Sequence, residues 1–114
     1  MEPFQLTDTV IQKVTAEPTL YDEFPFLAPI KDSALKIALQ IQRAGCSGCA
    51  KRALRPVTIA LAGAFTRLVV DEAQKPGNQL PSLRARINQI IGGSHEGLMI
   101  SYQDKDQREA QLSF

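Results

Sequence analysis

The sequence predicts an α+β fold: one mainly helical domain of three to four helices, with a C-terminal antiparallel β-hairpin and an extended, proline-rich N-terminal arm. Three observations lead to this fold class. Apolar residues recur with helical spacing over much of 32–91, apolar and polar residues alternate over 98–114, and four of the seven prolines lie before residue 30. A chain of 114 residues is one domain, large enough to bury roughly two-thirds of its unfolded surface.

Residues 1–31 form the predicted arm, and residues 32–114 form the helical domain. Thr7 or Asp8 is placed to cap a short helix through Val14. Beyond this helix, the prolines at 18, 25 and 29 each remove a backbone donor and favour extended geometry before them, so no regular structure is expected. An arm this apolar must lie on its own domain or on a neighbouring protein. The predicted interface residues are Phe24, Phe26, Leu27 and, near the other end, Phe114.

Three main helices are predicted in the domain, with a further turn or two at 50–54. The first runs over 32–44, with Asp32 or Ser33 as its cap and Gly45 as its stop. The third is capped by Ser82 and runs to residue 91, where Gly92 ends it, with Leu83 and the isoleucines on its inner face.

The second helix, from Pro56 to about Lys75, is almost wholly apolar between residues 57 and 70. This pattern predicts the central helix of the core, and the segment is too short to span a bilayer. Ala60, Gly63 and Ala64 put little bulk on one side, so another backbone can approach closely there. The sequence does not show whether that backbone belongs to the same chain or to a second subunit.

The last residues predict a hairpin whose register follows from parity. The apolar residues of both strands are even-numbered, which requires an odd loop such as 105–107 if they share one face. This register sets Ile100 opposite Leu112, Tyr102 opposite Ala110, and Asp104 opposite Arg108. Two strands are only marginally stable alone, so we expect the ribbon to pack on the helices or to join strands of another chain.

The chain's two cysteines, Cys46 and Cys49, are spaced so that both thiolates can reach one tetrahedral zinc ion. Two thiolates fill half of such a site. His95 is the predicted third ligand, and a carboxylate, a water or the same cysteine pair of a neighbouring chain are the other ligands that could complete it. Two alternatives stay open: a pair of reduced thiols in a helix–helix turn, or a dithiol redox pair whose thiol pKa is lowered by nearby cations. Disulfide oxidoreductases of the thioredoxin kind place the cysteine pair after a buried strand and a tryptophan. Neither precedes the pair here, so the sequence does not resemble them.

Charge is distributed unevenly along the chain. Residues 1–30 have a net charge of −4, residues 31–67 carry seven cations and one acid for +6, and residues 68–114 have a net charge of −1. The basic third predicts an anionic partner, which is either nucleic acid, an acidic protein surface or this chain's own acidic third. The predicted patch consists of Arg43, Lys51, Arg52 and Arg55.

No catalytic constellation is present in the sequence, which has one histidine and no phosphate-binding glycine loop. The leading prediction is therefore a non-enzymatic interaction or assembly subunit of a larger complex, homo- or hetero-oligomeric, such as a small structural component of a viral particle. The alternatives are a basic zinc-knuckle module that binds nucleic acid without sequence specificity and a dithiol redox protein. With no signal-peptide pattern, the expected location is the cytoplasm, or the virion for a viral protein, without membrane insertion.

Overall fold

The computed structural model describes residues 4–5, 8–43, 52–92, 98–104 and 106–113. Within these ranges the protein is mostly helical, with a C-terminal antiparallel hairpin, as the sequence predicts. The elements in chain order are β1 Phe4–Gln5, α1 Asp8–Thr15, α2 Leu20–Glu23, a 3₁₀ helix Pro25–Ile30, α3 Lys31–Arg43, α4 Arg55–Ala73, α5 Leu80–Ile91, β2 Leu98–Gln103 and β3 Glu109–Ser113.

The prediction of no regular structure between the short N-terminal helix and residue 30 is wrong. The short helix α1 is present, but α2 and the 3₁₀ helix follow it, and the 3₁₀ helix runs into α3 without a break. Proline is tolerated because Pro25 occupies the first position of the 3₁₀ helix, where a missing N–H costs nothing. Helix α3 begins at Lys31, and the Lys31 N–H donates to the carbonyl of Ala28. Because the 3₁₀ helix leads directly into α3, the helix needs no separate cap at Asp32 or Ser33.

One hydrophobic core joins the N-terminal segment to the rest of the described chain. Buried side chains from α1, α2 and the 3₁₀ helix pack with those of α3, α4, α5 and β2. The N-terminal segment alone contributes Ile11, Val14, Leu20, Tyr21, Phe24, Leu27 and Ile30. The proline-rich segment is thus an integral layer of the fold, because its apolar side chains have no other surface to cover them.

Helix α4 buries one stripe and exposes the other side. Its buried residues, Thr58, Leu61, Phe65, Val69 and Glu72, follow helical spacing along one face. Thr58 is satisfied in the core, where its Oγ1 accepts a hydrogen bond of 3.1 Å from Gln12 Nε2 of α1. The prediction of a central core helix applies to this stripe only, because the other sides of α4 lie at the surface and are apolar over its first turns.

The start of α5 is three residues earlier than predicted, at Leu80 with Gln79 as its N-cap. Asn78 Oδ1 accepts from the Leu80 N–H at 3.1 Å, and Glu72 Oε2 accepts from the Gln79 N–H at 3.1 Å. These side chains satisfy donors of the first turn, so Ser82 is not the cap. Gly92 ends α5 with φ of 74°, as predicted from its position.

The hairpin has the register predicted from parity, with Ile100 opposite Leu112 and Tyr102 opposite Ala110. The Asp104 N–H donates to the Arg108 carbonyl at 3.0 Å, which closes the loop over 105–107. Ile100 is buried in the helical core, so the ribbon packs on the helices. Strand β1 was not predicted. It pairs in parallel with the start of β2, so that β2 is the central strand of a three-stranded sheet.

Candidate interaction surface

The predicted zinc site lies outside the described residues, as do Cys46, Cys49 and His95 themselves. Among the described residues, no group of three or more His, Cys, Asp or Glu side chains is arranged to hold a metal ion. Zinc binding and dithiol chemistry therefore stay predictions. Lys51 and Phe114 also lie outside the described residues.

The predicted apolar interface of the N-terminal segment is largely internal. Phe24 is 3% exposed and Leu27 is fully buried, both in the chain's own core. Phe26 is half-buried beside them, and its ring meets that of Phe24 edge to face at a centroid distance of 6.3 Å. The interface prediction is thus wrong for Phe24 and Leu27, because a side chain packed inside its own fold offers no surface to a partner.

The described members of the predicted basic patch are exposed at the helix ends. Arg43 is the last residue of α3, Arg55 is the first residue of α4, and Arg52 lies three residues before it; all three are exposed. Lys36 is exposed on α3 as well. The ion pairs Glu23–Arg86 at 3.0 Å and Glu72–Lys75 at 3.5 Å lie outside the basic third.

The outward side of the first turns of α4 is apolar, and we call it the open face: Val57, Ile59, Ala60 and Gly63. Val57 is 46% exposed and Ile59 is 54% exposed, and Ala60 and Gly63 are exposed between them. A β-carbon placed on Gly63 would meet no atom within 4 Å. Exposed helix faces normally carry polar or charged side chains, but residues 56–64 contain none except the buried Thr58.

A groove runs along one edge of the open face, between the 3₁₀ helix with α3 and the N-terminal half of α4; we call it the α3–α4 groove. Its volume is about 440 Å³. Pro29, Ile30 and Ile37 line one side, Val57, Ala60, Leu61 and Ala64 line the other, and Ser33, Lys36 and Gln40 are its polar residues. No acidic residue is among these lining residues.

A second, wider groove of about 910 Å³ separates α4 from β2 and the hairpin loop. Its lining mixes small helix residues such as Ala62 and Gly63 with polar groups of both signs, namely Arg67, Asp104 and Asp106. Asp104 is already engaged, because its Oδ1 accepts from the N–H groups of Asp106 and Arg108 at 2.9 Å each. This groove therefore offers a mixed surface without a distinct chemical preference.

Tyr21 is a titratable side chain buried in the core. Burial raises the pKa of Tyr21 to about 12, and its hydroxyl donates to the Thr15 carbonyl at 2.6 Å within the core. This tyrosine ties α2 to the end of α1 and lies in no groove.

No family model, no curated protein and no solved structure matches this chain. No helix within the described ranges has the length and apolar content needed to cross a membrane. The described surface is therefore the basis for a functional proposal. The sequence predicted a core helix here and did not predict the exposure of the open face, although the absence of charge over 56–64 is visible in the sequence.

Proposed function

We propose that this protein is a non-enzymatic interaction or assembly subunit that docks onto other protein subunits through the open face of α4. The supporting observation is that residues 56–64, at the start of α4, carry no charge although Val57 and Ile59 are each about half exposed, on two sides of the helix. Single exposed aliphatic residues are ordinary on protein surfaces, but an uncharged, low-bulk helix segment that exposes two of them is typical of a contact surface.

Docking at this face has a favourable energy. Full burial of a valine or isoleucine side chain is worth about 1.5–3 kcal/mol. Since Val57 and Ile59 keep about half of their surface exposed, covering the remainder contributes about 1 kcal/mol for each side chain. Ala60 and Gly63 add little area, but they allow a partner's backbone to come close to α4, as in helix pairs with small residues at the contact.

Nucleic-acid binding is the second candidate, and the exposure of Arg43, Arg52 and Arg55 favours it. Such a patch contacts phosphates without reading sequence. A helix that reads bases in the major groove needs polar side chains on its outer face, and the outer face of α4 is apolar over its first turns. Docking to protein therefore explains more of the described surface than nucleic-acid binding does.

The experiment compares the wild-type chain with Ile59→Glu and with Leu39→Glu. Leu39 is a matched control, because it is 45% exposed on α3 and lines neither groove. Each protein is used to recover partners from the source cells, and each is then mixed with the purified partner and its mass is measured by light scattering. We expect a defined complex with wild type and Leu39→Glu that is lost with Ile59→Glu. A wild-type chain that stays monomeric without a partner, or a complex that Ile59→Glu preserves, would contradict the proposal.

A further inference from the structure

The α3–α4 groove combines an apolar floor with a basic surround. Ile30, Ile37 and Leu61 are nearly fully buried at its base, while Val57 and Ala60 remain exposed along its edge. Its volume of about 440 Å³ lies in the range of pockets that accept ligand side chains. A groove between two helices with small residues on one wall suits the apolar face of a third helix, which inserts anchors spaced three or four residues apart.

The α3 side of this groove carries positive charge. Lys36 itself lines the groove, and Arg43 lies three residues beyond the lining residue Gln40, a rise of about 4.5 Å along α3. Asp32 is exposed one turn before Lys36, so α3 presents two cations and one acid beside the groove. Arg55 lies two residues before the lining residue Val57 and therefore leaves α4 on a different side of the helix.

Within the described residues, a second copy of this chain does not complement the groove. A symmetric pair formed through this face would bring the cations of both copies, Lys36 and Arg43, into one interface, and like charges gathered in an interface are unfavourable. A different face of the second copy does not solve this problem. Within the described ranges, the large apolar side chains that are exposed are Leu39, Val57 and Ile59, and all three belong to the basic third.

From these observations we propose that the α3–α4 groove binds an amphipathic helix of a different protein, apolar on the inserted face and acidic on its flanks. This inference rests on the proposed docking function and specifies the chemistry of the partner. The apolar stripe of the partner covers Val57 and packs against Ala60 and Ala64, and its carboxylates face Lys36 and Arg43 at the rim. The charges supply orientation and rate of association, while the stripe supplies most of the affinity.

The test presents the full-length chain with a displayed library of helical peptides. Each peptide has apolar residues at the a and d positions of a heptad and a random choice of Glu, Gln or Lys elsewhere. Selection is made at about 0.15 M salt, so that only charges close to the groove contribute strongly. We expect the bound pool to be enriched in Glu over Lys next to the apolar stripe.

Matched variants locate the binding site. Ala60→Glu puts a charge on the groove wall, and we expect it to weaken binding of a selected peptide by at least about tenfold. Ala85→Glu is the control, since Ala85 is exposed on α5 and lines neither groove. Lys36→Glu is expected to weaken binding by about three- to tenfold, whereas the same change at the exposed Lys13 of α1 is expected to leave it unaltered.

The outcomes separate this inference from the docking function. Enrichment of Lys over Glu, or binding that survives Ala60→Glu, would overturn the acidic-helix inference while leaving docking through α4 in place. Enrichment of no sequence would overturn the inference too, and the partner-recovery experiment with Ile59→Glu then decides the docking function independently. Binding of a random-sequence DNA duplex that Lys36→Glu abolishes, without peptide enrichment, would favour the nucleic-acid alternative.

Discussion

The carboxylate of Glu72 joins the end of α4 to the start of α5, and its replacement is expected to destabilise the fold measurably. The residue is 7% exposed. Its Oε2 accepts from the backbone N–H of Gln79 at 3.1 Å, and its Oε1 lies 3.5 Å from Nζ of Lys75. These two contacts differ in environment, because the Gln79 contact is part-buried whereas the lysine side chain is 65% exposed.

The expected costs follow from that difference. Glu72→Ala removes a charge-assisted hydrogen bond and leaves a part-buried donor without its acceptor, at a cost of about 2–3 kcal/mol in the free energy of unfolding. Glu72→Gln keeps an oxygen that can accept from Gln79, so we expect a loss of about 1 kcal/mol. Lys75→Ala removes only a solvent-screened ion pair and costs less than about 0.5 kcal/mol.

Urea unfolding followed by circular dichroism measures all three variants against wild type, with equal slopes required so that midpoints report stability. The expected order of destabilisation is Glu72→Ala, then Glu72→Gln, then Lys75→Ala. If Lys75→Ala cost as much as Glu72→Ala, the ion pair would be the main contribution and our assignment to the backbone contact would be wrong. Equal stability of Glu72→Ala and wild type would show that the contact between Glu72 and the Gln79 N–H does not stabilise the fold.

Three further predictions concern other elements. Because burial raises the pKa of Tyr21 to about 12, the folded state favours the neutral phenol. The contribution of the neutral phenol to stability is complete below about pH 10 and is lost as the pH rises toward 12. Absorbance titration should therefore show a tyrosine step near pH 12 that Tyr21→Phe removes. Gly92→Ala should cost about 1 kcal/mol in urea unfolding, since φ is 74° and no atom lies within 4 Å of an added β-carbon; an unchanged midpoint would exclude backbone strain as a factor. Asp104→Ala should cost about 1–2 kcal/mol and Asp104→Asn distinctly less, because asparagine retains an oxygen for the two loop N–H groups; equal losses would show that this oxygen is not what stabilises the loop.

Local features of the fold could be predicted closely from the sequence. The predicted second helix begins one residue from the observed start at Arg55, and Gly92 ends α5 as expected. The pairing of Ile100 with Leu112 followed from the parity of apolar residues and an odd loop. These features depend on neighbours in sequence: helix ends depend on prolines, glycines and caps, and strand register depends on alternation over a few residues.

The candidate surface was only partly predictable. The sequence showed that residues near Ala60 and Gly63 have little bulk and that 31–67 is basic, and both features contribute to the groove. The sequence placed the apolar interface at Phe24 and Leu27, whereas the structure buries both in the chain's own core and exposes Val57 and Ile59. A hydrophobic count cannot separate these cases, because every one of the four residues is apolar and lies in an apolar segment.

The sequence by itself determined the class of fold, both ends of α4 to within two residues, the C-terminal end of α5, the hairpin register and the charge asymmetry, since each depends on residue types at short spacing. Only the tertiary structure decided that residues 8–30 are a layer of the core and that α4 keeps apolar residues at the surface. The physical reason is that burial depends on which elements come together in space. Once the N-terminal segment covers the Thr58, Leu61 and Phe65 stripe, the opposite side of α4 stays at the surface.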